Sequence, residues 1–270
     1  MRTLLAGTLA SILAAISALA WQAQQHIPGQ YNPYAREMQS PAPDPPDGDE
    51  KTEYAFARLR YRSGGGGFRG RGGSWGTDAN TAEQHFSQGL RRLTRVHVRS
   101  SGEVVDIDSD EIYNWPWLYA VEVGRWSMTD AQAKRVRDYL DRGGFLMVDD
   151  FHGTYQWEGF METLRKVFPD KPVVDIDNAD AIFHVLYNLE KRVQVPGKQY
   201  NWSGQTYEQD GVEARWRGIY DGNGRLMMAI CHNMDLGDAW EFADDPQYPE
   251  QYASLAYRIG INYLLYSMTH

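Results

Sequence analysis

The sequence predicts an α/β fold: a doubly wound, mostly parallel sheet with helices on both faces and a C-terminal β-hairpin. Three observations carry this reading. Strand-like and helix-like stretches alternate from Tyr54 to Ile176, the order that builds a parallel sheet from crossover units. The run Phe145-Leu146-Met147-Val148 is apolar on both faces, as a strand covered on both sides must be. Arg215 to Tyr220 and Arg225 to Cys231 flank Asp221-Gly222-Asn223-Gly224, a strong hairpin turn signal.

Taken in order, the first strand is expected at Tyr54 to Tyr61, where Tyr54, Phe56, Arg58 and Arg60 alternate with Ala55, Ala57, Leu59 and Tyr61. The glycine-rich stretch Ser63 to Gly73 follows, without the G-x-G-x-x-G phasing of a phosphate cradle. It reads as a loop, with Arg69 and Arg71 as unassigned cations that could meet an anion. A helix carries Ala82, Phe86, Leu90 and Leu93 on one stripe, with Thr77 or Asp78 expected as its N-cap. A short strand is expected at Val96 to Val98. A buried strand is expected at Trp115 to Val121, with Pro116 near its start.

Thr129 with Gln132 three residues on is a capping box, and Gly143-Gly144 stops the helix that it opens. The central strand then runs into Asp149-Asp150-Phe151-His152-Gly153. An amphipathic helix follows, with Trp157, Phe160, Met161, Leu164, Val167 and Phe168 inward, and Pro169 ends it. Val173 to Ile176 is the next strand, and Val195 to Gly211 is loop-like. The last helix begins near Pro249 and turns Tyr252, Leu255, Ala256, Ile259 and Tyr263 inward. One domain from residue 53 to 270 is expected.

Ahead of it, Arg2 precedes an uncharged run from Thr3 to Ala20 that ends in Ala18-Leu19-Ala20. That is the build of a secretory signal peptide, residues 1–20, with a retained N-terminal anchor as the rival reading. Residues 21–52 are a proline-rich linker. The expected location is therefore periplasmic or extracellular, with no transmembrane domain once the signal is cleaved. The net charge of −9 excludes a nucleic-acid binder, which needs a basic footprint. The one cysteine, Cys231, excludes an intrachain disulfide and a multi-thiolate zinc site.

In open α/β sheets ligands bind outside the carboxyl ends of the strands. Asp149, Asp150 and His152 fall there. A second polar segment, His232, Asn233, Asp235, Asp238 and Glu241, follows the hairpin. The two should share one cleft, because a strand end in mid-sheet needs walls. Asp78 and His184 are further contributors to weigh. Crowded carboxylates beside histidines suit general acid–base work, or oxygen and nitrogen ligation of a divalent metal as cofactor. No spacing matches a metal signature. The plainer alternatives make Asp150 a cap of the helix near Tyr155, Asn233 and Asp235 turn residues, and His184 a satisfied core histidine.

Several stretches together resemble a bacterial family, domain of unknown function 4159. They are Tyr54 to Tyr61 with Trp75-x-Thr77-Asp78, Trp117-Leu118-Tyr119, Arg142 through His152, Ile182-Phe183-His184, Asn233 through Asp238 with Trp240, and Asn262 through Tyr266. The resemblance implies a flavodoxin-like sheet similar to class I glutamine amidotransferases, and brings no established activity with it. Some similar proteins are larger and membrane-anchored, and this chain is expected to depart from them in carrying only an export signal and a linker. Amidotransferase chemistry needs a cysteine on a tight strand-to-helix turn. The corresponding strand here ends in aspartates, and Cys231 lies on a hairpin arm. The expectation is a non-catalytic module binding a small molecule, a carbohydrate or a cell-envelope protein, with Tyr200, Trp202 and Tyr207 as stacking surfaces. The alternative is a hydrolase, metal-assisted or not, using Asp149, Asp150 and His152.

Overall fold

The computed structural model describes residues 33–42, 45–48, 50–63 and 74–270. The signal segment, residues 21–32 of the linker, and Arg69 and Arg71 of the glycine-rich loop lie outside the described residues. Among the described residues nine strands form: β1 Ala57–Arg60, β2 Arg62–Ser63, β3 Glu103–Asp106, β4 Trp117–Val121, β5 Trp126–Ser127, β6 Phe145–Phe151, β7 Val174–Asp175, β8 Arg215–Tyr220 and β9 Leu226–His232. The described α-helices are α1 Thr81–Leu93, α2 Asp130–Asp141, α3 Gly153–Val167, α4 Tyr200–Ser203, α5 Leu236–Glu241 and α6 Glu250–Thr269.

The main sheet has seven strands in the order β3-β1-β4-β6-β9-β8-β7, while β2 and β5 make a separate two-stranded ribbon. The pairs β3–β1, β1–β4, β4–β6 and β6–β9 are all parallel. Only β8 runs against its neighbours, pairing antiparallel with β9 and with β7. The central position of β6, hydrogen-bonded on both edges, explains why Phe145 to Val148 carries no polar residue.

Alternate residues of a strand point to opposite faces, so the sheet separates two cores. On one face Tyr119, Phe145, Met147, Ala229 and Cys231 pack against Phe86 of α1, Trp240 of α5 and Ile259 and Tyr263 of α6. On the other, Leu118, Ala120, Leu146, Val148 and Ile230 pack against Val136 and Leu140 of α2 and Phe160 and Leu164 of α3. Ends follow local chemistry. Thr129 and Gln132 form the expected capping box, and Gly143 adopts φ +105°, a conformation open to glycine, as the chain leaves α2.

Three local expectations need correction. The strand expected at Val96 to Val98 is a single bridge from Val98 to Tyr54. The sheet edge is instead Glu103–Asp106, whose acidic ends mask a strand pattern and suit an edge that must not pair further. Helix α1 starts at Thr81 with Asn80 before it, so neither Thr77 nor Asp78 caps it. His184 is exposed, its Nε2 lying 2.7 Å from the Asn178 carbonyl, because only Ile182 and Phe183 of that stretch turn inward.

The middle of the proline-rich segment lies against the domain. Glu37 pairs with Arg60 at 2.9 Å and accepts from the Trp75 indole at 3.0 Å. Gln39 Oε1 accepts the Asp78 backbone N–H at 3.1 Å. Among the described residues no helix is long and apolar enough to cross a membrane.

Candidate functional site

The site forms where β6 and β9 end side by side. Pairing steps from Val148↔Ile230 to Phe151↔His232 with a register shift between them, so one extra residue is bulged out of β6. A bulge bends the strand and re-aims its side chains. Here it lies at Asp149-Asp150, and Asp150 takes φ +51°. Beyond the ladder, Asn233 N–H donates to Phe151 O at 2.9 Å and Asp150 N–H to Met234 O at 3.2 Å. The two polar segments are thus laced together by backbone.

Asp149 is fully buried and its Oδ2 is a hub. It accepts from Tyr119 OH at 2.9 Å, from Leu236 N–H at 2.8 Å and from Gly237 N–H at 3.0 Å. Its Oδ1 has no partner. Burial, then the nearby charge of Asp150, pushes its carboxyl up to about 7, against the hydrogen bonds that hold it down.

Asp235 precedes α5 and caps it, its Oδ1 accepting the Asp238 N–H at 2.8 Å. Asp238 Oδ2 accepts the Lys198 N–H at 2.6 Å. Asp78 arrives from the loop after β1, buried and at φ +61°. One carboxylate oxygen from each of Asp78, Asp235 and Asp238 lies within 4.8 Å of the others. Burial pushes Asp78, Asp150 and Asp235 well above the carboxylate range, and repulsion adds to it, from Asp238 and Asp150 at Asp78, from Glu122 and Asp238 at Asp150, and from Asp150 and Asp238 at Asp235. Asp238 moves the same way. At the rim, burial and Asp238 push Glu241 up to about 7.

Two glycines make this approach sterically open. A Cβ on Gly237 would meet Asp78 Oδ2 at 2.3 Å and Tyr119 OH at 2.8 Å. One on Gly197 would meet Asp235 Oδ2 at 2.5 Å, Gln199 Oε1 at 2.6 Å and Asp238 Oδ2 at 2.9 Å.

The histidines divide. His152 Nε2 lies 3.1 Å from Asp150 Oδ1 and 4.0 Å from Glu208 Oε1, while Nδ1 has no partner. Burial lowers its pKa, opposed by Glu208 and Asp149. His232 packs against the rings of Phe151 and Trp157, at 4.9 and 4.8 Å, with Nε2 3.2 Å from the Gly153 carbonyl. Burial pushes it down to about 4, so it is neutral. Asn233 is committed to backbone: Oδ1 accepts Gly153 N–H at 2.8 Å and Nδ2 donates to Glu213 O at 2.7 Å. With Asp210, which accepts from Thr154 N–H at 2.8 Å, it caps α3. Asp150 therefore does not cap that helix.

Sequence reasoning missed Arg58, Gln199, Glu122 and Glu208. Arg58 pairs with Glu83 inside the protein and donates to the carbonyls of Trp75 at 3.1 Å and Thr77 at 2.7 Å. It fixes the loop that delivers Asp78. The signal was visible: a charge at Arg58 sits on the same face as Tyr54 and Phe56. Glu122 and Glu208, flanking Asp150, carried no pattern because they come from separate loops.

The model for Domain of unknown function (DUF4159) matches residues 55–268. The chain belongs to this family. No curated protein matches it. Within the family region lie all the carboxylates of the cleft, from Asp78 to Glu241.

Proposed function

We propose that the chain is an exported binding module on a flavodoxin-like, amidotransferase-like sheet, whose carboxylate-lined cleft holds a polar ligand without converting it. The observation that carries this is the meeting of Asp78, Asp149, Asp150, Asp235 and Asp238 at the carboxyl ends of the parallel strands. Grouping buried charges costs several kcal/mol per uncompensated ion. A fold gains nothing from it unless something else is bound there. Backbone strain supports the same reading. The non-glycine residues at positive φ are Asp78, Glu122, Asp150, Gln209 and Asn233, and such conformations, costing on the order of 1 kcal/mol each, gather at functional sites. Cys231 is buried on β9, and burial pushes its thiol up, away from the nucleophilic thiolate.

A hydrolase is the second reading, favoured by the 3.1 Å contact of His152 with Asp150 and by Glu208 beyond it. Such a pair could move a proton to and from a bound water. Thermal-shift screening with polyamines, oligosaccharides and cell-wall fragments, beside a hydrolase substrate panel, separates the two. Asp150 makes no hydrogen bond to the backbone that Asp150→Ala would break. A ligand that stabilises wild type and not Asp150→Ala, with no turnover, supports binding. Turnover abolished by Asp150→Ala replaces it with hydrolysis.

A further inference from the structure

The cleft contains more negative charge than its own cations offset. Arg58 pairs with Glu83 and donates to two carbonyls, and its Nη2 has no hydrogen-bond partner. The Lys198 ammonium pairs with Asp245 at 3.2 Å and lies 3.5 Å from the centre of the Phe242 ring. Neither is paired with Asp78, Asp235 or Asp238, whose oxygens stand within 4.8 Å of one another.

A second observation points the same way. Two oxygens in the cleft are buried without any hydrogen-bond partner: Asp78 Oδ2, on a residue 1% exposed, and Asp149 Oδ1, on a residue 0% exposed. Asp149 comes from β6, outside the group of three, and its other oxygen is already filled by three donors. Buried polar atoms without partners are uncommon, and an ion or water is the usual explanation. Gln199 Oε1 converges with Asp235 and Asp238 over Gly197, adding a neutral oxygen.

We propose that Asp78, Asp235 and Asp238 bind a hard divalent cation, with Gln199 and Asp149 providing the adjoining oxygens, and that Ca2+ is the ion that fits. The three ligands are all carboxylates, the donor type of hard cations rather than of zinc or copper. Several protein oxygens converging in a buried site suit Ca2+, which takes about 6–8 oxygen ligands in flexible geometry, whereas Mg2+ holds to an octahedron and keeps several waters. The bound cation would tie the loop after β1, the Gly197 turn and the start of α5 into one rigid wall. The assignment shares the cleft with the binding reading above but does not need its organic ligand.

The full chain, treated with chelator, is titrated with Tb3+ while the tyrosine and tryptophan emission is excited, Tyr119 being hydrogen-bonded to Asp149 at the site. Sensitised Tb3+ emission displaced by one Ca2+ per chain is expected, with Mg2+ at least tenfold weaker. Asp235→Asn combined with Asp238→Asn should abolish the emission and the thermal shift with Ca2+. Asp170→Asn, at an exposed pair with Arg137, should retain both. No sensitised emission, or emission that Ca2+ does not displace, overturns the proposal, as does an unchanged response in the double variant. Should that variant fail to fold, the wild-type titration alone decides. Organic-ligand binding that survives in a chain without Ca2+ binding sinks this inference and leaves the binding reading standing.

Discussion

Asp149 Oδ2 accepts the Leu236 backbone N–H at 2.8 Å, so the end of the central strand joins Asp235 in capping the short helix after the hairpin. The carboxylate that a sequence reader would single out as chemical is also an anchor. Asp149→Ala strands Tyr119 OH and the Leu236 and Gly237 amides. We expect a loss of about 2–4 kcal/mol, since unmade buried hydrogen bonds cost about 1–3 kcal/mol each and relief of repulsion offsets part of it. Urea unfolding measures it, and an unchanged midpoint would remove Asp149 from this role.

Asp235→Asn should act in the opposite direction. The amide oxygen can still accept the Asp238 N–H, while one buried charge facing Asp150 and Asp238 is lost. In chelator-treated protein the variant should gain roughly 1–3 kcal/mol. A variant less stable than wild type would show that the cluster is already neutralised.

Acidity should stabilise the protein near neutral pH. Asp149 and Glu241 have folded-state values of about 7 against ordinary values of 3.8 and 4.5. The folded state therefore binds more protons, and stability falls as pH rises through 7. His232, at about 4 against 6.5, works the other way, its contribution being lost as pH falls from 6.5 through 4. Between pH 8 and 6.5 the carboxyls dominate, so the melting temperature of chelated protein should climb on acidification, and climb less steeply below 6.5, where the buried histidines oppose it. A melting temperature that drops over that interval would contradict the raised carboxyl values.

Removing Arg58 should be among the costliest single changes. Arg58→Met leaves Glu83 buried without its partner and frees the carbonyls of Trp75 and Thr77. Breaking a buried pair costs about 3–5 kcal/mol. Adding Glu83→Gln should restore part of that in a double-mutant cycle; strict additivity would mean that the pair does not interact.

Much of this was legible from residue patterns, and the failures have physical causes. The central strand, the capping box at Thr129 and the hairpin turn each depend on residues adjacent in sequence. So does the idea that Asp149 and Asp150 end a strand in mid-sheet. The meeting with Asp235 and Asp238 could be argued from topology, since both segments follow parallel neighbours. Three-dimensional convergence was not legible where the partners lie on irregular loops. Gln199 reaches the cluster through a turn at Gly197, and Glu208 reaches His152 from a loop with no periodicity. His232 looked like a ligand because it is adjacent to Asn233, yet the Phe151 and Trp157 rings pack against it.

Gln39 joins the cleft at two points, accepting from the Asp78 backbone N–H at 3.1 Å and reaching Glu241 with Nε2 at 3.4 Å. The domain is therefore leashed beside its own opening. Tension applied to the chain before Tyr34 would reach Arg60 of β1 and Trp75 through Glu37, and Asp78 through Gln39. Pulling from the N-terminal side would therefore load the first strand and the cleft together.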